Sequence, residues 1–127
     1  MPVVSVSLTE KNLETLDQLQ RALGLTGRSE AIRVCLRSAE SEVRERQTMS
    51  GEVEGVLIVV HDSHLSTWLD RIQHTFQSII KTQLHSHLRD HQCLEVFIIR
   101  GDASLIDQMI TELQREGKIA YMKFVKS

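Results

Sequence analysis

The sequence predicts an α+β protein in two parts, a βαα module with its linker over residues 1–50 and a βαββαβ sandwich over residues 51–127. Three observations carry that reading. Residues 2–8 alternate at a strand's period of two, and two segments with apolar residues at helical spacing follow. Residues 40–50 are mostly polar and run into Gly51, a helix tail passing into a linker. Beyond it, strand-like and helix-like segments succeed one another in the order strand, helix, strand, strand, helix, strand.

In the first strand Val4, Val6 and Leu8 share one side, and Val3, Ser5 and Ser7 share the other. Thr9 is placed to cap a helix whose stripe is Leu13, Leu16, Leu19 and Leu23, ended by Gly24. A second helix opens after Thr26-Gly27. It carries Ala31, Ile32, Cys35, Leu36, Ala39 and Val43 on one face and Arg33, Arg37 and Arg44 on another, which makes Cys35 a core cysteine.

One strand and two helices cannot close a core in about 50 residues, and a lone strand leaves an unpaired edge. Pairing with the same strand of a second chain answers both needs. It yields a two-stranded antiparallel ribbon of a size that enters the DNA major groove. The ribbon's outer face presents Val3, Ser5 and Ser7, and the two hydroxyls suit base edges. Arg28, Ser29 and the free amides opening the second helix suit a phosphate. Residues 1–50 hold seven basic and seven acidic side chains, so DNA affinity must come from local placement.

In the second part Val53 to Val60 reads as a strand, and a helix begins near His64 with Leu65, Trp68, Leu69, Ile72 and Phe76 as its stripe. His74 lies about 180° from the centre of that stripe, so it points away from its own sheet. Hairpin strands at about 80–88 and 92–100 follow. A helix with Leu105, Ile106, Met109, Ile110 and Leu113 comes next, and a last strand runs from Lys118 to about Val125. The order is that of the ferredoxin-like, or split βαβ, sandwich. Leu84, Leu88, Leu94, Val96 and Ile98 are expected against the helices. The opposite face then carries His85, His87, Cys93, Glu95, Phe97 and Ile99, whose apolar members call for cover by another subunit.

The hairpin holds the chemistry. His85 and His87 are one strand period apart, and a turn centred on Asp90 sets Cys93 opposite His87 and Glu95 opposite His85. Cross-strand Cβ atoms lie about 5 Å apart, close enough for two imidazoles and a thiolate to share one cation. A polar strand face with one structural cysteine is the plainer reading, but soft and borderline ligands rarely converge in this way by accident. The outward His74 would arrive from a neighbouring chain, while Gln73 and Glu95 are placed to hydrogen-bond the ligand imidazoles. His61, Asp62 and His64 read as a solvated loop rather than a surface metal site, and His91 as a bystander on the turn.

A net charge of -2 advertises no global attraction to nucleic acid or membrane. Cys35 and Cys93 lie in unlike contexts and suggest no disulfide framework, which fits a reducing cytoplasm. No leader pattern and no apolar run near 18 residues appears, so a soluble, cytoplasmic protein without a membrane partner is expected.

The strand, helix and Gly-x-x-Gly-Arg-Ser-Glu-Ala-Ile-Arg of residues 24–33 resemble the ribbon-helix-helix family of DNA-binding proteins. The His-x-His-x5-Cys-Leu-Glu of residues 85–95, preceded by Gln73-His74, resembles the nickel-responsive transcriptional regulators built on that module. The resemblance covers nearly the whole chain. It implies a metal-responsive regulator with one Ni(II) per chain, held in a four-coordinate planar site by His85, His87, Cys93 and His74 from across an interface. It also implies a double-stranded DNA operator, a homodimer through the N-terminal ribbon and a homotetramer through the sensor domains. Two positions depart from the pattern. Val3 stands where a basic residue is frequent, and Val34 stands where an acid, together with Glu30, helps bind an accessory cation. A regulator sensing another transition metal or a small organic ligand is the alternative, although an organic ligand needs no thiolate. A metalloenzyme is disfavoured, since no convincing acid-base residue lies in the motif apart from Glu95 and a DNA-binding arm would be superfluous, so no enzyme is expected.

Overall fold

A computed structural model describes residues 1–115 and 119–127. The chain forms two compact units, Met1–Glu45 and Arg46–Ser127.

The first unit contains α1 (Glu10–Ala22) and most of α2 (Arg28–Gln47). At the start of α1 the Thr9 hydroxyl accepts from the Asn12 amide at 3.0 Å, and the Asn12 side chain accepts from the Thr9 amide at 3.3 Å. This satisfies two amides that the helix cannot. Gly24 ends the helix at φ 68, in the left-handed region, and the Leu25 amide closes back on Gln20 O at 2.9 Å. The Thr26 amide and hydroxyl then donate to the Glu30 carboxylate at 3.2 and 2.7 Å, which holds that carboxyl below its usual range. Residues 1–9 join no sheet and are exposed, because a ribbon strand needs a pairing strand and one chain supplies none. Leu16 and Ala31 are buried, whereas Ile32, Leu36 and Val43 stay exposed on the apolar face of α2. Cys35 is therefore half-buried rather than in a closed core. The polar tail expected to become a linker remains helical to Gln47.

The second unit is β1 (Glu52–Asp62), a short 3-10 turn (Ser63–Leu65), α3 (Ser66–Thr75), β2 (Ile80–His87), β3 (Gln92–Asp102), α4 (Ala103–Arg115) and β4 (Ile119–Lys126). Lys118, where the last strand was expected to begin, lies outside the described residues. The sheet order is β2-β3-β1-β4 with every pair antiparallel, the βαββαβ sandwich expected. Val53, Leu57 and Val59 of β1 and Phe97 and Ile99 of β3 pack beneath Leu69 and Ile72 of α3 and Ile106, Met109, Ile110 and Leu113 of α4.

The two sheet faces are the reverse of the sequence expectation. Phe97, Ile99, Cys93 and Glu95 lie on the helix-covered side, while Leu84, Leu88 and Ile98 are exposed and Leu94 and Val96 half-exposed. A parity error of one residue exchanges every side chain between faces. The deciding signal sits at the strand ends. Glu52, Glu54 and Arg100 share parity with Val96 and Ile98, and the Arg100 guanidinium reaches the two carboxylates at 3.7 and 3.6 Å on the wet side.

Candidate metal centre

The β2–β3 hairpin closes through Leu88 and Gln92, whose amide and carbonyl pair at 2.8 Å, and the Gln92 amide reaches Arg89 O at 3.2 Å. Asp90 and His91 adopt φ 57 and 59, the left-handed conformation such a turn demands and one that aspartate tolerates better than most residues. The resulting register sets His87 against Cys93 and His85 against Glu95.

That register gathers three donors. One ligand atom from each of His85, His87 and Cys93 lies within 4.8 Å of the other two. Cys93 Sγ is 3.7 Å from His87 Nδ1, and the two imidazoles meet edge to face with centroids 5.0 Å apart. The thiol is buried at 1% exposure, and the imidazoles stand at the surface on an edge strand. Two imidazoles and a thiol form a borderline-soft set suited to nickel, copper, zinc or cobalt and unsuited to magnesium or calcium. The residues present therefore fit a nickel ion.

Behind the donors lies Glu95, buried at 2% exposure. Its Oε1 accepts from His85 Nδ1 and stands 3.4 Å from His61 Nε2, while Oε2 accepts from the Gln83 amide at 3.1 Å. With Nδ1 engaged in this way, the Nε2 lone pair of His85 is the one free for a metal. Gln83 thus bears on the donors indirectly, through the Glu95 carboxylate rather than by a bond to an imidazole. Gln73 is half-buried on α3 and makes no hydrogen bond to His85 or His87 among the described contacts.

His61 does not belong to the solvated loop in which it was expected. It is fully buried on β1 as the register partner of Cys93, and Nδ1 lies 2.8 Å from Asp62 O. The missed signal is parity, since His61 continues the buried series Val53, Leu57 and Val59. Asp62 and His64 do lie toward solvent. The His64 amide donates to the Asp62 carboxylate at 2.8 Å and its ring approaches at 2.6 Å, and these bonds hold that carboxyl low. The His91 carbonyl accepts from the Ser63 amide at 2.8 Å, and the His91 side chain is exposed on the turn. His74 is exposed on α3, whose buried residues are Leu69 and Ile72, and a single chain does not bring it to the other three donors.

Val3, Ser5 and Ser7 are exposed ahead of α1, and Ser29 is exposed in the first turn of α2. Arg28 is exposed as well, but its guanidinium forks onto Asp17 at 3.0 and 3.1 Å, and this bond holds the Asp17 carboxyl below its usual range. Val34 is half-buried and brings no carboxylate beside Glu30. Among the described residues no helix is long and apolar enough to cross a membrane.

Comparison with known proteins bears on both units. Residues 3–40 match a family described as ribbon-helix-helix protein, copG family, and residues 54–126 match the NikR C-terminal nickel binding domain. A protein of Methanococcus aeolicus named "Putative nickel-responsive regulator" is 32% identical over 97% of this chain and 89% of its own length. Proteins with the same name from Methanocaldococcus jannaschii and Halobacterium salinarum are 34% and 32% identical over 89% and 90% of this chain, and 82% of each relative is covered. An uncharacterized protein of Thermotoga maritima of known structure superposes with a TM-score of 0.55 at 14% identity, covering 60% of this chain and 98% of its own, which is a likeness of fold alone.

Proposed function

The chain belongs to the family of nickel-responsive regulators that carry the NikR C-terminal nickel binding domain behind a ribbon-helix-helix module, and from that premise we propose how its own residues act. It is a DNA-binding transcriptional regulator that answers nickel, and not an enzyme. His85, His87 and Cys93 hold one nickel ion per chain, and His74 of a second copy completes the set. The convergence of three borderline-soft donors within 4.8 Å on one hairpin carries this reading.

Bound nickel supplies a cross-link between two copies, since three donors come from one hairpin and the fourth from an outward helix face. Cys93 binds as the thiolate. Glu95 holds His85 through Nδ1 and so presents its Nε2. At the other end of the chain, residues 2–8 of two copies pair as a ribbon that sets Ser5 and Ser7 against base edges. Arg28 and Ser29 meet phosphates once the guanidinium turns from Asp17. The assembly is a homodimer through the ribbons and a homotetramer through the second units. It works in the cytoplasm, where a reducing milieu keeps Cys93 free.

Selection of bound sequences from a random duplex library, with nickel and with a chelator, tests the function. The reading expects one palindromic class to be enriched with nickel and lost with chelator. Equal enrichment in both arms would overturn nickel control, and no enrichment in either would overturn sequence-specific DNA binding.

A further inference from the structure

We propose that His61 is a positioning residue of the metal centre, acting through Glu95 on His85. The inference rests on the hairpin metal site proposed above. Among the described residues, His61 and Glu95 are the two polar side chains that are buried, and they touch each other. A fully buried imidazole is costly unless its nitrogens are engaged, and here both face oxygen, Asp62 O at 2.8 Å and Glu95 Oε1 at 3.4 Å. An apolar residue at this position would continue the series Val53, Leu57 and Val59 at no such cost.

The geometry gives the pair a task. Glu95 Oε1 is approached from two sides, by His61 Nε2 at 3.4 Å and by His85 Nδ1, while the Gln83 amide donates to Oε2. These contacts restrain the carboxylate, and through it the His85 ring, so that Nδ1 faces inward and Nε2 outward. His61 is not itself a ligand in this arrangement. It is the cross-strand partner of Cys93, yet its nitrogens are turned to Glu95 and a carbonyl, and it is not one of the three clustered donors.

Two amide variants separate this role from mere packing. An asparagine amide falls near the ring's Nδ1 position and reaches Asp62 O but not Glu95, whereas a glutamine amide reaches the Nε2 position. His61→Asn is expected to weaken nickel binding roughly 10–100-fold, the range for outer partners of metal-bound histidines, and His61→Gln is expected to bind close to the parent. In a Glu95→Gln background His61→Asn should cost nothing further, because the effect runs through that carboxylate. Nitrogen-15 spectra of the metal-free protein give a second readout. His85 should carry its proton on Nδ1 in the parent and the glutamine variant, and should mix tautomers in His61→Asn. Equal affinity of the two amide variants, or an undiminished effect in the Glu95→Gln background, overturns the proposal. So does an Nε2-protonated His85 in the parent, a measurement that needs no variant to fold. Cys93→Ala run alongside keeps the two readings apart. Retention of the parent's sulfur-to-nickel absorption band in that variant defeats the hairpin site itself. Its loss, with His61→Asn binding as the parent does, defeats only the role of His61.

Discussion

Replacement of Cys93 by alanine is the sharpest perturbation of the proposed site, and its size follows from burial. The side chain is 1% exposed, so removing the sulfur costs about what removing a buried methylene costs, about 0.8 kcal/mol. For a domain of this size that lowers the melting temperature of the metal-free protein by roughly 3–6 °C. Nickel changes the comparison. At a free concentration about 100 times its dissociation constant the parent gains about 2.7 kcal/mol, or roughly 10–20 °C. Even an outer partner of a ligand is worth 10–100-fold in affinity, so losing a ligand costs at least about 100-fold. The same nickel concentration then stabilises Cys93→Ala by at most about 0.4 kcal/mol, or roughly 2–3 °C. Trp68 is the chain's single tryptophan and packs against the core of the second unit, so its fluorescence follows the melting of that unit. Cys35→Ala, in the first unit, should keep the whole nickel increment. An increment in Cys93→Ala equal to the parent's would refute the hairpin site.

Three further outcomes are expected. Mixing His74→Ala chains with Cys93→Ala chains and allowing subunit exchange should restore part of the parent's nickel absorption, which neither variant shows alone; no recovery means His74 does not ligate across an interface. Phe97→Ala should cost about 3–5 kcal/mol in denaturant unfolding, and Ile98→Ala, at 42% exposure on the other face, about 1 kcal/mol; the opposite ranking would reverse the faces again. Arg28→Ala should weaken binding equally on selected and random duplex and flatten the salt slope by about one unit. Asp17→Asn, which releases the guanidinium, should strengthen both, and Ser5→Ala with Ser7→Ala should erode only the preference between them. A sequence-selective Arg28 with a neutral serine pair would mean that the ribbon face is wrongly assigned.

What the sequence made legible here is what short-range periodicity encodes. The His87–Cys93 and His85–Glu95 pairings follow from one turn centre and a strand period of two. The outward placement of His74 follows from the same counting on α3. The faces of the sheet did not follow, because β1 and β3 carry apolar residues at both parities and a local pattern cannot say which set meets the helices. The ion pairs that decide it, Glu52 and Glu54 with Arg100, join residues 46–48 positions apart, beyond the reach of any window along the chain. His61 was lost for a related reason. Its neighbours Asp62, Ser63 and His64 are polar, and composition outweighed a parity that continues for one residue past Val60. Gln83 escaped notice because an amide gains its role from the carboxylate across the strand pair, not from its neighbours in sequence.

The correction of the faces removes one argument for a partner, since this chain's own helices supply the cover that Phe97 and Ile99 require. Had the donors lain on an open sheet face, a second subunit would have been needed to cover Phe97 and Ile99 whatever the metal did. Those residues are buried within one chain, so the completion of the site and the burial of the core are separate events. Within the chain much of the centre is formed in advance, since Cys93 is buried and Glu95 fixes His85. Little ordering of these groups is left for metal binding to bring about. The unfilled requirement is a fourth donor, and the outward His74 of another copy meets it on the proposed reading. The binding free energy then goes mainly into selecting one arrangement of copies over others, and a ligand shifts a conformational equilibrium only by such a difference in affinity between states. Reciprocity follows from the same cycle. DNA that fits the nickel-selected arrangement of the ribbons must raise nickel affinity by the factor with which nickel raises affinity for that DNA.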